Sequence, residues 1–233
     1  MSKKSKRYQQ AAELVEEDKQ YAIKDAVELI KKFPAPKFDP TVTLSFKLGI
    51  DPRKSEQMVR GSVALPHGTG KSVRVVVFAS GDAAKAAEAA GADEVGMADL
   101  IKKVQEGYTD FDAAIATPDA MLEVRKIARV LGPRGLMPNP KTGTVTEDTA
   151  AAVNAVKAGR IDYKLDKNGN VSAAIGKTSF SDDQLTENTT ALLESVIKAK
   201  PATAKGNYIE NVTISASMCP GVALESSLYV VNP

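Results

Sequence analysis

The chain has 233 residues, of which 43% are apolar and 26% charged, so it can bury a sizeable core in one large domain or two smaller ones. A net charge of +2 falls short of the strongly basic signature of proteins that bind nucleic acid mainly through electrostatics. No apolar run approaches the roughly 20 residues that span a bilayer, and the amino-terminal MSKKSKRYQQ lacks the apolar stretch of a signal peptide. We therefore predict a cytoplasmic protein that does not enter membranes.

The first 70 residues predict two helices followed by two strands. Apolar residues recur at helical spacing in the first 33 residues, and Pro34 and Pro36 end that pattern. From Thr41 to Leu48 the period changes to two, which indicates a half-buried strand with one apolar and one polar face. A second alternation, over 59–65, predicts another strand.

A regular alternation of strands and helices follows. The β-branched run at 73–79 is typical of a strand that is covered on both faces. It precedes a helix capped by Asp82, a short extended piece, a second helix and the strand FDAAIA at 111–116. Thr117 as an N-terminal cap and Gly132 after the last turn predict one more helix. This order predicts a small Rossmann-like α/β unit.

The last third begins with a predicted helix over 147–158. RIDYKL and NVSAAI then flank the turn DKNG at 166–169, whose Asn-Gly pair predicts a β-hairpin. Ser181 and Gln184 form a capping box for a long helix. Residues 208–217 alternate again and predict a final strand.

Neither end of the chain has enough strands and helices to bury a core alone, so we predict that the two ends fold together. The predicted fold class is a two-domain combination of α+β and α/β. We predict that residues 1–67 and 160–233 form a discontinuous antiparallel α+β domain and that residues 68–159 form the inserted Rossmann-like domain. The chain would cross between the domains twice, and such a paired crossing is a natural hinge.

The stretch LPHGTGKS at 65–72 raises the alternative of a nucleotide-dependent enzyme, because Gly70, Lys71 and Ser72 resemble the end of a P-loop. However, Leu65 stands where that motif requires its first glycine, and a strand follows where a helix N-terminus must face the phosphates. We therefore interpret the stretch as a Gly-rich connection between domains. The protein is predicted not to be an enzyme, with no cofactor and no small-molecule substrate.

The chain has one cysteine, Cys219, and one histidine, His67. The single cysteine excludes an internal disulfide, and the pair leaves too few ligands for a zinc site. No nucleophile motif accompanies His67, so we interpret it as a surface residue beside a turn.

A long Gly- and Pro-rich loop, GPRGLMPNPKTGTV, carries Arg134 and Lys141. It contains no GxGxxG fingerprint and follows a helix instead of a strand, so it does not predict dinucleotide binding. Two interpretations remain open. The loop is either a Pro-stiffened connection with solvated charges or a contact loop, since ordered long loops in compact domains are often functional.

Two predicted strands carry short hydroxyl side chains on their outward faces, namely Thr41, Thr43 and Ser45, and Thr213, Ser215 and Ser217. A plain solvated sheet face is one interpretation, because threonine favours strands intrinsically. The other is an RNA-binding surface, because hydroxyls suit the ribose hydroxyls and phosphates through which structured RNA is recognised. Lys37 and Phe38 precede the first strand and would supply a phosphate partner and a ring for stacking.

Several long motifs resemble those of one family of ribosomal proteins. They include KFDPTV, KLGIDPRKSEQMVRG, LPHGTGK, DFDAAIATPD, LGPRGLMPNPKTGTV, KAGRIDYKLDKNG and SMCP, and together they cover nearly the whole chain. The chain resembles the bacterial large-subunit ribosomal proteins of the mobile stalk beside the tRNA exit site, the L-one family. This resemblance implies a split RNA-binding domain and an inserted α/β domain joined by a hinge.

The resemblance also implies which residues contact RNA. The motifs KFDPTVT, DKNG and SMCP would supply Lys37, Phe38, Thr41, Thr43, Asp166, Lys167, Ser217, Met218, Cys219 and Pro220, beside Thr213 and Ser215 of the polar face. Two positions depart from the family pattern. Cys219 stands where the family usually has a glycine that allows close backbone approach, and Thr43 stands where relatives often have an acidic residue.

The family resemblance implies the function. It implies an rRNA-binding constituent of the large ribosomal subunit that assists release of exit-site tRNA and represses its own operon by binding the mRNA. We expect recognition of RNA shape by the polar face, with phosphate contacts from basic side chains that fix the register. Arg134 and Lys141 would give the inserted domain a second contact with rRNA or tRNA. Off the ribosome the protein is predicted to be a monomer.

Overall fold

A computed structural model describes residues 4–16, 19–204, 206–225, 227 and 229. The elements in chain order are α1 (Lys6–Glu13), α2 (Ile23–Lys32), β1 (Thr41–Leu48), β2 (Arg60–Ala64), β3 (Val75–Phe78), α3 (Asp82–Ala89), β4 (Glu94–Gly96), α4 (Ala98–Gln105), β5 (Ala113–Ala116), α5 (Met121–Val124), α6 (Ala128–Arg134), α7 (Thr149–Lys157), β6 (Arg160–Lys164), β7 (Asn170–Lys177), α8 (Asp182–Lys198), β8 (Ile209–Ala216) and β9 (Gly221–Ala223). The mixed α+β and α/β class predicted from the sequence is confirmed. None of the helices within the described ranges is long and apolar enough to cross a bilayer.

Contacts between residues divide the chain into two compact units. Residues Met1–Gly70 and Ile161–Pro233 form one, here called the split unit, and Lys71–Arg160 form the other, the central unit. These limits fall a few residues from the predicted domain limits at 67/68 and 159/160.

The split unit contains a four-stranded antiparallel sheet in the order β7-β1-β8-β9. Strand β1 lies between β7 and β8, and its apolar residues Val42, Leu44, Phe46 and Leu48 are buried as the period of two predicted. Helices α2 and α8 pack against each other and against strands of this sheet. One apolar cluster includes side chains from both ends of the chain. Burying a leucine or phenylalanine fully contributes about 1.5–3 kcal/mol, so this shared cluster stabilises the split unit.

Helix α8 begins at the predicted capping box. The Ser181 hydroxyl accepts a hydrogen bond from the Gln184 backbone N–H, and the Gln184 side chain accepts one from the Ser181 backbone N–H. Asp182 and Asp183 place negative charge in the first turn, where the helix dipole favours it. The capping prediction is confirmed.

The hairpin predicted at 166–169 is wrong in its pairing, although the turn itself forms. The Asp166 N–H donates to the Asn170 carbonyl at 2.8 Å, and Gly169 takes the positive φ of 80° that favours glycine. However, β6 pairs with β2 in a separate two-stranded sheet, whereas β7 pairs with β1. The Asn-Gly signal is local, and the strands on its two sides find their partners far away in sequence.

The central unit has a three-stranded parallel sheet in the order β4-β3-β5. All four residues of β3 are buried. Val76 and Phe78 belong to an apolar cluster with α4, α5 and α6, whereas Val75 and Val77 belong to a second cluster with α3 and α7. Apolar clusters on both faces of a parallel sheet define the Rossmann-like arrangement that the alternation of elements predicted.

Two helix limits in the central unit differ from the prediction. Helix α3 is preceded by Gly81, with φ 65°, so Asp82 lies in the first turn and is not the cap. The helical segment that starts near Thr117 continues through Gly132 and Pro133 and ends at Arg134, followed by Gly135 in the left-handed conformation. Gly135 ends this helix because its φ of 74° suits glycine. Part of the predicted Gly- and Pro-rich loop is therefore helical.

Candidate nucleic-acid interface

The face of the four-stranded sheet opposite the buried apolar residues is polar, and its side chains are aligned by the strand register. Thr43 of β1 lies beside Ser215 of β8, and Ser45 lies beside Thr213. All four are partly exposed. On the other side of β1, Ser45 pairs with Ser172 of β7, and their hydroxyl oxygens are 3.0 Å apart. The sheet thus presents rows of hydroxyl groups, and it brings the predicted residues of two distant strands together.

The loop before β1 presents Lys37 and Phe38 to solvent. The Phe38 side chain is 49% exposed, which is unusual for a ring at a strand entry. The next residue, Asp39, accepts hydrogen bonds from the Thr178 hydroxyl at 2.9 Å and from the Ser179 hydroxyl at 2.7 Å. The pKa of Asp39 is lowered, mainly by the hydrogen bond from the Ser179 hydroxyl. The loop with the exposed ring is therefore tied to the turn that follows β7.

The SMCP turn lies at the same end of the sheet. The Ser217 N–H donates to the Thr41 carbonyl at 3.0 Å, so the turn after β8 is fixed to the start of β1. Met218 is 69% exposed and has a positive φ of 63°, the one such value among the non-glycine residues described. The left-handed backbone conformation is strained for any residue with a side chain. Residues with such backbone strain occur most often at functional sites.

Cys219 and Pro220 are less exposed to solvent than Met218. Pro220 is buried, and Cys219 is partly buried against the apolar core of the split unit. Burial raises the pKa of the Cys219 thiol, so it remains protonated at neutral pH. Of the four SMCP residues, Met218 has the most exposed side chain.

The predicted residues of the DKNG turn lie next to the other end of β1, where the Leu48 N–H donates to the Gly169 carbonyl at 2.8 Å. Asp166 and Lys167 are exposed. Each of two backbone groups, the N–H of Asn168 and the N–H of Asn170, donates to the Asp166 carboxylate, at 2.8 and 2.7 Å. The pKa of Asp166 is lowered, mainly by the hydrogen bond from the Asn170 backbone N–H. This carboxylate is therefore ionised at neutral pH.

The sequence did not predict several residues of the same face, among them Lys47, Asn170, Ser172 and Asn211. The Lys47 ammonium donates to the Asn168 carbonyl at 2.7 Å, and Asn211 lies beside Lys47 in the register of β8. Lys47 continues the alternation of polar residues on the outward face of β1, so the period of two in the sequence places it on this face. The positions of Ser172 and Asn211 depend on strand register, which the sequence alone does not reveal.

The two loop residues predicted as a secondary contact belong to the central unit. Arg134 is the last residue of α6 and donates a hydrogen bond to the Thr109 hydroxyl. Lys141 is exposed in a short 3-10 turn over Pro140–Thr142. The side chain of Asn139 caps this turn by accepting from the Lys141 N–H at 2.8 Å. The segment is ordered by its own hydrogen bonds.

The P-loop alternative receives no support from the local geometry. Strand β3 follows Gly70, Lys71 and Ser72, so no helix N-terminus directly follows them. The Lys71 ammonium forms an ion pair with the Asp112 carboxylate at 2.5 Å. A lysine that is paired in this way is not aimed at a phosphate.

Comparison with known proteins identifies the family. The model of the ribosomal protein L1p/L10e family matches residues 30–220. The large ribosomal subunit protein uL1 of Saccharopolyspora erythraea is 57% identical over 225 residues, which cover 97% of this chain and 94% of the relative. The chain belongs to the ribosomal protein L1p/L10e family, so the resemblance drawn from the motifs is confirmed. This is a family of ribosomal proteins and not of enzymes.

Proposed function

We propose that this protein is a cytoplasmic constituent of the large ribosomal subunit and binds rRNA through the polar face of the split unit. The observation that carries the proposal is the pair of hydroxyl rows on β1 and β8, which Ser172 of β7 extends beside Ser45, flanked at one end by the exposed side chains of Phe38 and Met218. The high identity to a large-subunit protein supports the ribosomal location.

The chemistry of this face favours recognition of RNA shape. Threonine and serine hydroxyls both donate and accept hydrogen bonds, so they can pair with ribose 2′-hydroxyls and with phosphate oxygens. A flat sheet face with short side chains allows the shallow minor groove of an RNA helix to approach closely. Phe38 would stack on an accessible base or ribose, Met218 would pack against the sugar edge, and Lys37 would neutralise a phosphate.

The remaining functions are proposed on family resemblance. The split unit would act as the RNA-binding domain, and the central unit as an inserted domain on a hinge near Gly70 and Gly159. Arg134 and Lys141 of the central unit would make the secondary contact with rRNA or exit-site tRNA. The same polar face would bind an rRNA-like structure in the mRNA of its own operon and repress translation. The free protein would be a monomer.

Alanine and valine substitutions test the main proposal. Met218→Ala, Thr41→Val and Thr213→Val are compared for affinity to full-length large-subunit rRNA from the same organism at fixed salt. We expect all three to weaken binding, with the largest loss at Met218, about 1–3 kcal/mol. Leu122→Ala is the matched control, since Leu122 is an equally exposed apolar side chain in the central unit.

Two outcomes would contradict the proposal. Unchanged affinity in all three variants would mean that the polar face does not contact rRNA. In a salt series with the wild type, a steep salt dependence that accounts for the entire affinity would mean that phosphate attraction alone holds the complex, because hydroxyl contacts release no counterions.

A further inference from the structure

A depression of about 300 Å³ lies on the polar face at the end remote from Met218. Its lining includes Ser45, Lys47, Asp166, Asn170, Asn211 and Thr213. This volume is at the lower end of the range for small-molecule sites, about 300–1,000 Å³. The depression is therefore large enough to receive one planar group of modest size.

The strand register gives this end of the sheet a different chemistry from the hydroxyl rows. Lys47 of β1 lies between Asn170 of β7 and Asn211 of β8. Lys47 and Asn211 are exposed, and Asn170 is partly exposed. Within the described part of the chain, the carboxamide of Asn211 has no hydrogen-bond partner. Two carboxamides and an ammonium group thus line one depression, whereas hydroxyls predominate on β1 and β8 toward the Met218 end.

The charges around the depression have both signs. The Lys47 ammonium uses one donor on the Asn168 carbonyl at 2.7 Å and keeps two others. The Asp166 carboxylate is held by the backbone N–H groups of Asn168 and Asn170, and it also accepts from the Asn170 carboxamide at 3.3 Å. A fixed carboxylate repels a phosphate, so this depression is less suited to the RNA backbone than the hydroxyl rows are.

A nucleobase edge matches the depression better than a phosphate does. The Watson–Crick edge of a base carries donors and acceptors side by side, and a carboxamide supplies one of each. Sequence-specific proteins read unpaired RNA bases through this kind of contact. The neighbouring hydroxyls of Ser45 and Thr213 would then face the ribose of the same nucleotide.

We propose that the depression between Lys47, Asn170 and Asn211 binds one unpaired base of the rRNA and supplies base selectivity to a face that otherwise reads shape. This inference rests on the proposed function, because it requires rRNA on the same face of the sheet. It assigns the two ends of the face different tasks. The Met218 end holds the RNA backbone, and the Lys47 end selects a base.

Chemical footprinting on full-length large-subunit rRNA from the same organism tests the proposal. Hydroxyl radicals report protected riboses, and dimethyl sulfate or a carbodiimide reports unpaired bases whose Watson–Crick edges are covered. We expect the wild type to protect one unpaired base inside the ribose footprint. Asn211→Ala should expose that base while the ribose footprint stays. Asn154→Ala is the control, since it removes an exposed asparagine from the central unit.

A double-substitution cycle gives the decisive measurement. Replacing the protected base in the rRNA should weaken wild-type binding by about 5- to 150-fold, and Asn211→Ala should weaken binding to the native rRNA by a similar factor. Combining both changes should give no further loss, because they remove the same contact. Additive losses, or an unchanged base footprint in Asn211→Ala, would overturn the base site and leave the proposed function intact. Absence of any ribose protection by the wild type would overturn both.

Discussion

The carboxylate of Asp39 accepts a hydrogen bond from the hydroxyl of Ser179 at 2.7 Å, although 140 residues separate the two in sequence. With the Thr178 hydroxyl at 2.9 Å, this bond holds the loop that presents Phe38 to solvent. Immobilising one exposed side chain on binding costs about 0.5–1.5 kcal/mol of conformational entropy. A loop that already holds the side chain in place in the free protein avoids this cost when RNA binds.

We expect Asp39→Ala to weaken rRNA binding by about that amount, measured as the dissociation constant at fixed salt. The direction of the effect is diagnostic. Simple electrostatics predicts the opposite, because removing a carboxylate lowers repulsion of phosphates. Ser179→Ala should give a similar loss with no change in charge. In a Phe38→Ala background, both losses should disappear, and their persistence would show that Asp39 acts elsewhere.

Met218 has opposite requirements for stability and for binding. Its φ of 63° favours glycine, so Met218→Gly should raise the free energy of unfolding by up to about 1 kcal/mol while it weakens rRNA binding. Met218→Ala keeps the strained conformation and should weaken binding without a gain in stability. Urea denaturation and rRNA titration of the two variants check this pair of effects. A loss of stability in Met218→Gly would contradict the assigned strain.

Two buried tyrosines of the split unit should respond in opposite ways to the loss of a hydroxyl. Among the described residues, the Tyr208 hydroxyl is buried without a hydrogen-bond partner, and burial raises its pKa. Tyr208→Phe should therefore raise the free energy of unfolding by about 1 kcal/mol. The Tyr163 hydroxyl lies 3.1 Å from the Ser195 hydroxyl and 3.2 Å from its carbonyl, so Tyr163→Phe should cost about 1 kcal/mol. Urea denaturation of both variants would reject this explanation if their effects had the same sign.

Acid should destabilise the split unit through Asp39 and Asp166. Hydrogen bonds lower the pKa of both carboxyls in the folded state, below the value of about 3.9 for an unfolded chain. The unfolded state then binds more protons as the pH falls, so the free energy of unfolding should decrease below about pH 4. Asp166→Asn should make this decrease shallower in denaturation curves between pH 3 and 6. Parallel curves for the variant and the wild type would contradict the role of Asp166.

The sequence predicted those elements whose signals are local. The alternation from Thr41 to Leu48 matched β1 at both ends because each residue of a half-buried strand carries its own signal. The capping box at Ser181 likewise lies within four residues. The hairpin error arose because β6 and β7 pair with strands distant in sequence, whereas one helix limit was wrong because two local signals competed. Gly132 resembled a helix end, but the helix continued to Gly135, where the left-handed conformation actually occurs.

The extent of the polar face could be predicted only in part. Lys37, Phe38 and Met218 belong to recognisable motifs, and their exposure in the structure supports the interface proposed here. Ser172 and Asn211 have no such motif. They join the face because β1 pairs with β7 and β8 in a particular register, and that register depends on the packing of a core formed by residues distant in sequence.

The central position of β1 has a consequence for synthesis of the protein. Val42 pairs with Gly176 on one side and with Ala216 on the other, so neither neighbour exists when the strand leaves the ribosome. At the usual rates of translation, β7 and β8 are synthesised on the order of ten seconds or more after β1. During that time the unpaired edges of β1 can pair with other strands. The intervening residues 71–160 can complete their own parallel sheet during that time. A nascent chain should therefore acquire its central unit first and become competent to hold RNA only as its final strands are made.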